Sequence, residues 1–236
     1  MNNNIFNHLE SIRKRKGFVN IALVDPDRKN HSHLDSILNN IIDLNFDAVL
    51  VGGSLFMDDE FENRINYIKK NINLPLILFP NSSNNICKNV DAVLYLTLLS
   101  SQYPQHLVGE HIKSSATIKT YNLECIPTAY ILIQGERRTA VEIVSYSNPI
   151  PPDKVDILEA YALTAQYLGN KLIYLEMGSG SSNTIDFNIV KHINSCIDIP
   201  IMIGGGIKSN DDIDLLVQAG ASYIISGTMI EKMSMK

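Results

Sequence analysis

The sequence predicts an α/β protein built as a (β/α)8 TIM barrel, and three observations carry the prediction. Its 236 residues suit one such barrel, which typically needs about 250. Eight short apolar runs rich in β-branched residues recur, at 18–24, 48–51, 75–79, 92–96, 126–133, 172–175, 199–203 and 223–226. They are continuous rather than alternating, as parallel strands buried on both faces are. The last two runs end in glycine, in Pro200-Ile-Met-Ile-Gly-Gly-Gly-Ile-Lys208 and Tyr223-Ile-Ile-Ser-Gly-Thr228, with a helical stretch at 209–217 between them. Loops after strands seven and eight of a barrel commonly hold a phosphate, because bare backbone N–H groups can approach it there. A single domain over 1–236 is expected.

Taken in order, strand one leads into Asp25-Pro26-Asp27-Arg28, and Leu34, Ile37, Leu38, Ile41 and Ile42 then make one amphipathic helical face. Strand two ends in Gly52-Gly53-Ser54 and is followed by a helix carrying Phe61, Ile65 and Ile68. Strand three ends in Pro80-Asn81-Ser82. The stretch from there to Ala92 is short and rich in asparagine and serine, whereas a crossover with its helix needs about a dozen residues or more. The third helix is therefore expected to be missing or reduced to a turn, giving a modified barrel with a gap in its outer wall. After strand five, residues 134–152 carry Gly135, Pro149, Pro151 and Pro152 and read as an excursion at the barrel mouth, with an extra strand at 140–144. Val155, Leu158, Tyr161, Ala162, Ala165 and Leu168 form the next helix, stopped by Gly169-Asn170.

The composition excludes several classes. Hydrophobic residues make up 45% and charged residues 19%, as in a globular chain with a large core. A net charge of −5 argues against a nucleic-acid binder. The basic run Arg13-Lys14-Arg15-Lys16 is expected to be a solvated helix end, the alternative being attraction to anionic lipid. Cys87, Cys125 and Cys196 are odd in number and far apart. That disfavours disulfides and zinc, and favours buried packing in a reducing, cytoplasmic compartment. Residues 1–5 lack a signal core, and 92–99, the longest apolar stretch, is too short to span a bilayer.

Barrel chemistry sits at the C-terminal ends of the strands. There the chain places Asp25, Ser54, Asn81, Glu176 and three glycine turns, the third being Glu176-Met-Gly-Ser-Gly180. Adjacent turns of this kind can enclose one phosphate through uncharged N–H groups. A carboxylate beside an anion site is costly unless used, so Glu176 reads as acceptor or base toward a ligand hydroxyl. The plainer role is a salt bridge. Asp25, a hard carboxylate, suits Mg2+ shared with a diphosphate, while Asp27 suits pairing with Arg28 or Lys29, or capping of the following helix. The histidines supply no triad.

These motifs together, Leu-Val-Asp25-Pro-Asp27-Arg, Val-Gly-Gly-Ser54, Leu-Phe-Pro80-Asn-Ser82, Tyr174-Leu-Glu176-Met-Gly-Ser-Gly180, Gly204-Gly-Gly-Ile and Ser226-Gly-Thr228, resemble the geranylgeranylglyceryl phosphate synthase family over nearly the whole chain. The resemblance implies a barrel without a regular third helix, and a Mg2+-dependent prenyltransferase that joins sn-glycerol 1-phosphate to a polyprenyl diphosphate through an ether bond. It implies that Asp25 and Ser54 belong to the metal site and that Glu176 faces the attacking hydroxyl. Tyr174, Leu175, Glu176, Met177, Gly178, Ser179 and Gly180 would bind glycerol phosphate, with Gly205, Gly206, Gly227 and Thr228 around its phosphate. It also implies a homo-oligomer, dimer or hexamer. Two positions depart from the pattern: Leu23, where some members carry Lys, and Asn81, where Gly is usual. An apolar tail would run past Tyr95, Leu98, Leu99, Tyr103 and Tyr130, with transient membrane contact to collect it. The rivals are a phosphosugar isomerase, which needs carboxylates at strands one and five, a flavin-binding barrel, and a non-catalytic phosphate-binding barrel.

Overall fold

The computed structural model describes residues 4–234, so residues 1–3 of the N-terminal stretch lie outside the described residues. Eight parallel strands close into a barrel in sequence order: β1 (Val19–Val24), β2 (Ala48–Val51), β3 (Leu76–Leu78), β4 (Ala92–Leu98), β5 (Glu124–Leu132), β6 (Leu172–Glu176), β7 (Ile201–Gly204) and β8 (Ala221–Ser226). The ring closes where Val19 of β1 pairs with Tyr223 of β8. Around it lie α2 (Leu34–Asp43), α3 (Phe61–Asn71), α4 (Glu110–Tyr121), α5 (Ala140–Ser145), α6 (Val155–Tyr167), α7 (Phe187–Cys196), α8 (Asn210–Gln218) and α9 (Thr228–Ser234), with α1 (Ile5–Lys16) ahead of β1.

The period of two along each strand splits the core into layers. Leu94, Ile126, Tyr174, Met202 and Tyr223 pack inside the barrel, while Ile131, Ile173, Leu175 and Ile203 pack outward against the helices. Each such Leu or Ile contributes about 1.5–3 kcal/mol on burial. Ile5, Leu9 and Ile12 of α1 join the inner layer, and α1 closes the end where the strands begin. There Tyr223 Oη donates to Glu10 Oε1 at 2.6 Å, and the Glu124 carboxylate at the start of β5 accepts from the Ile5 and Phe6 N–H groups. The basic run is the last turn of α1, where Arg13 pairs with Glu10 and Lys16 with Asp47. Its charges complement the helix dipole, at the end of the barrel away from the glycine turns.

Between β3 and β4 the only helical backbone is a 3-10 turn at Ser83–Asn85. The expected loss of the third helix is therefore present, and β3 and β4 share just two register pairs, Ile77 with Ala92 and Leu78 with Val93. The excursion after β5 corrects an expectation: 140–144 lies in a helix, α5, and not in a strand. Thr139 and Glu142 form a reciprocal capping box that satisfies the first N–H groups, so the alternation of Val and Ile is overridden locally. The chain returns to the sheet only as an isolated bridge between Ile133 and Ile150.

Candidate active site

All the sequence motifs meet at one rim. Asp25 follows β1, Ser54 follows β2, Asn81 follows β3, Glu176 ends β6, and Gly204 and Gly227 stand at the ends of β7 and β8.

Glu176 is buried at 7% exposure. Its Oε2 accepts from Tyr174 Oη and its Oε1 from the Gly178 N–H at 2.9 Å. Burial pushes its pKa above the usual carboxylate range, against those two hydrogen bonds, which lower it. No ion pair reaches it among the described residues, so the salt-bridge role is excluded. A proton-hungry carboxylate held in one orientation is what a general base requires. The Gly178 N–H thus serves Glu176 rather than a phosphate. Tyr174, fully buried, acts as a prop for Glu176, and the Leu175 side chain lies in the outer layer. Met177 packs against that layer too. Both were expected among the ligand-binding residues, but the strand alternation turns their side chains away from the rim.

The phosphate-type turns converge as expected. Gly180, Gly206, Ile207 and Thr228 line one hollow between the ends of β6, β7 and β8. Gly206 has φ +72°, and a Cβ there would lie 2.0 Å from the Asn183 carbonyl oxygen, so both conformation and space demand glycine.

Across the rim, the Asp25 carboxylate is 3.2 Å from Lys29 Nζ. This corrects the expected pairing of Lys29 with Asp27, which instead caps the turn at Arg28–His33 through the Arg28 N–H. A Cβ at Gly53 would meet Asp25 Oδ1 at 2.5 Å, so glycine lets the β2 loop close over the carboxylate. Ser54 follows directly, and Asn81 Nδ2 donates to its carbonyl at 3.4 Å. Carboxylate, hydroxyl and amide oxygens are the donors that hard divalent ions take, and Asp25 already draws a cation. The residues therefore fit a Mg2+ site.

Beside this corner opens an apolar cavity of about 860 Å3 including its mouth, within the range of small-ligand pockets. It starts at Gly53, Ser54 and Phe79 and passes between β4 and α4, where the third helix is missing, past Val93, Ser114 and Ile118. Tyr95, Leu98 and Tyr130 line it as expected. Leu99 packs on the helix layer instead, and Tyr103 is exposed against Tyr146. Sequence reasoning missed α4: the Tyr95 ring stacks on His111 at 3.9 Å, and Glu110 accepts from the Ser83 N–H at 2.5 Å, tying the short loop to that helix. Glu159, His192 and Cys196 also gather on α6 and α7, their donor atoms within 4.8 Å of one another, away from the rim motifs.

The chain matches the PcrB family over residues 10–236. The chain belongs to the PcrB family. Among its relatives, the geranylgeranylglyceryl phosphate synthase of Pyrococcus horikoshii is 38% identical, covering 94% of this chain and 87% of that protein. The protein of the same name from Chitinophaga pinensis is 34% identical over 98% of this chain and 92% of its own length. The crystal structure of (S)-3-O-geranylgeranylglyceryl phosphate synthase from Thermoplasma acidophilum, in complex with substrate sn-glycerol-1-phosphate, superposes with a TM-score of 0.87 at 33% identity, covering 95% of this chain and 91% of that one. An N-acetylmannosamine-6-phosphate 2-epimerase from Clostridium perfringens, at 14% identity and TM-score 0.58, shares the fold alone. The isomerase rival also lacks its second acid in this PcrB barrel: β5 ends at Leu132, and the next carboxylate, Glu136, is exposed.

Proposed function

We infer that this single barrel domain is a Mg2+-dependent prenyltransferase joining sn-glycerol 1-phosphate to a polyprenyl diphosphate, with geranylgeranyl diphosphate as the expected donor. The observation that carries the reading is the position of the apolar cavity. It opens between the Asp25–Ser54 corner and the Glu176 carboxylate, so one end of a lipid diphosphate would lie against each.

The phosphate of glycerol 1-phosphate would sit at the turns of Gly180, Gly206, Gly227 and Thr228, with Ser179 and Gly205 beside it. Its free hydroxyl would face Glu176, which takes the proton as the oxygen bonds to the allylic carbon. The bond from that carbon to the diphosphate breaks, and diphosphate leaves with the electron pair. Asp25 and Ser54 would hold Mg2+, which when bound supplies positive charge to the leaving group. Burial of the reacting groups excludes water, and fixing both substrates at one rim lowers the entropic part of the barrier.

The test is incubation with Mg2+, labelled glycerol 1-phosphate and donors of graded length. Ether product with at least one donor is expected, and none with any donor overturns the reading. Ser114→Phe, placed inside the cavity from α4, is expected to raise KM about tenfold or more for a C20 donor and little for a C10 donor. Gly206→Ala is expected to cost roughly 1–3 kcal/mol through its strained φ and to abolish glycerol 1-phosphate retention, read by thermal unfolding and calorimetry.

No helix among the described residues is long and apolar enough to cross a membrane. The cysteines are free, consistent with work in the cytoplasm and transient contact with a membrane to collect the donor. Assembly into dimers or hexamers completes the proposal, to be read by light scattering.

A further inference from the structure

We propose that Asn81 supplies a third oxygen to the divalent-ion corner, beside Asp25 and Ser54; the proposal rests on the Mg2+ reading above. The Asn81 carboxamide has a fixed sense. Its Nδ2 donates to the Ser54 carbonyl at 3.4 Å, and turning the amide over would set two carbonyl oxygens against each other. That leaves Oδ1 sealed from solvent, with no donor reaching it among the described residues. A buried acceptor left this way costs about 1–3 kcal/mol, and native structures seldom keep one without a use.

The surroundings specify the use. Asn81 lines the cavity mouth together with Gly53 and Ser54, and Gly53 backs directly on the Asp25 carboxylate. A donor's diphosphate entering this corner brings only acceptor oxygens, which cannot satisfy another acceptor. A divalent cation can, directly or through one water, and a neutral amide oxygen is a hard ligand of the kind Mg2+ accepts. The loops after β1, β2 and β3 then contribute one oxygen each, from three strands that are neighbours in the barrel. Asn81 is also where the chain departs from the glycine usual in the resembling pattern, so the contact would be particular to chains carrying a side chain here.

The experiment titrates Mn2+ by electron paramagnetic resonance in the presence of inorganic diphosphate, without prenyl donor. Asn81→Leu keeps the volume and removes the oxygen, and Asn81→Gly removes the side chain. Both are expected to weaken Mn2+ binding about tenfold, while Asn81→Asp holds or strengthens it. Glycerol 1-phosphate affinity, measured by calorimetry, is expected to stay at the wild-type value in all three, which excludes a general loss of structure. Unchanged Mn2+ binding in both Asn81→Leu and Asn81→Gly, with binding lost in Asp25→Ala, overturns the role of Asn81 and leaves the metal reading standing. Unchanged binding in Asp25→Ala as well removes both.

Discussion

Asp25→Ala is expected to lower turnover by about 10³-fold while glycerol 1-phosphate still binds with wild-type affinity. The two halves of that result follow from the split of the rim. Asp25 stands after β1 against Gly53 and Lys29, whereas the phosphate-type turns gather after β6, β7 and β8. Loss of the acid removes the anchor for positive charge at the leaving group without touching the other substrate's hollow. Steady-state kinetics with equilibrium binding checks it. Turnover within tenfold of wild type would sink the role given to Asp25, and loss of glycerol 1-phosphate binding would show that the rim is not divided as described.

The second large effect concerns Glu176. Glu176→Gln keeps the shape and is expected to reduce kcat by about 10²–10⁴-fold, the usual worth of a positioned base. Because burial raises the carboxyl's pKa, the wild-type kcat/KM is expected to climb with pH through a value above the ordinary Glu range near ~4.3, and this limb should vanish in the variant. Stability moves the opposite way. A raised folded-state pKa means that the folded chain holds the proton more tightly than the unfolded one, so folding is favoured below the unfolded pKa. That advantage is lost as pH rises through the folded value. Glutamine carries no such loss. The variant is therefore expected to melt higher than wild type at neutral pH, with the gap narrowing toward acid. A variant that is both fully active and no more stable at neutral pH contradicts the assignment.

Much of this arrangement was legible in the chain. Eight apolar runs gave eight strands because parallel strands covered on both faces cannot afford polar positions. The glycine turns were visible because phosphate hollows need bare backbone. What escaped was set by local geometry. The Thr139–Glu142 capping box was present in the residues but masked by the β-branched pattern of 140–144. Leu175 was taken for a ligand neighbour although period two, applied from Tyr174 and Glu176, turns it outward. The Lys29–Asp25 pair arises from the 3-10 turn that follows β1, where sequence spacing alone left Asp27 equally available. The cavity was foreseen only as a gap, since its far wall is α4, a helix whose sequence shows weak amphipathic patterning.

The thin seam between β3 and β4 has a thermodynamic consequence. With two register pairs there, against seven between β4 and β5, the wall is weakest where the oily chain of the donor would lie. The substrate's own hydrocarbon would then act as the buttress that the polypeptide omits. Resistance to heat should rise with each isoprene unit bound until the channel is full, as ligation to the folded form alone requires. In such a barrel the enzyme is sturdiest while loaded, and emptying it loosens the very side through which the next lipid must pass.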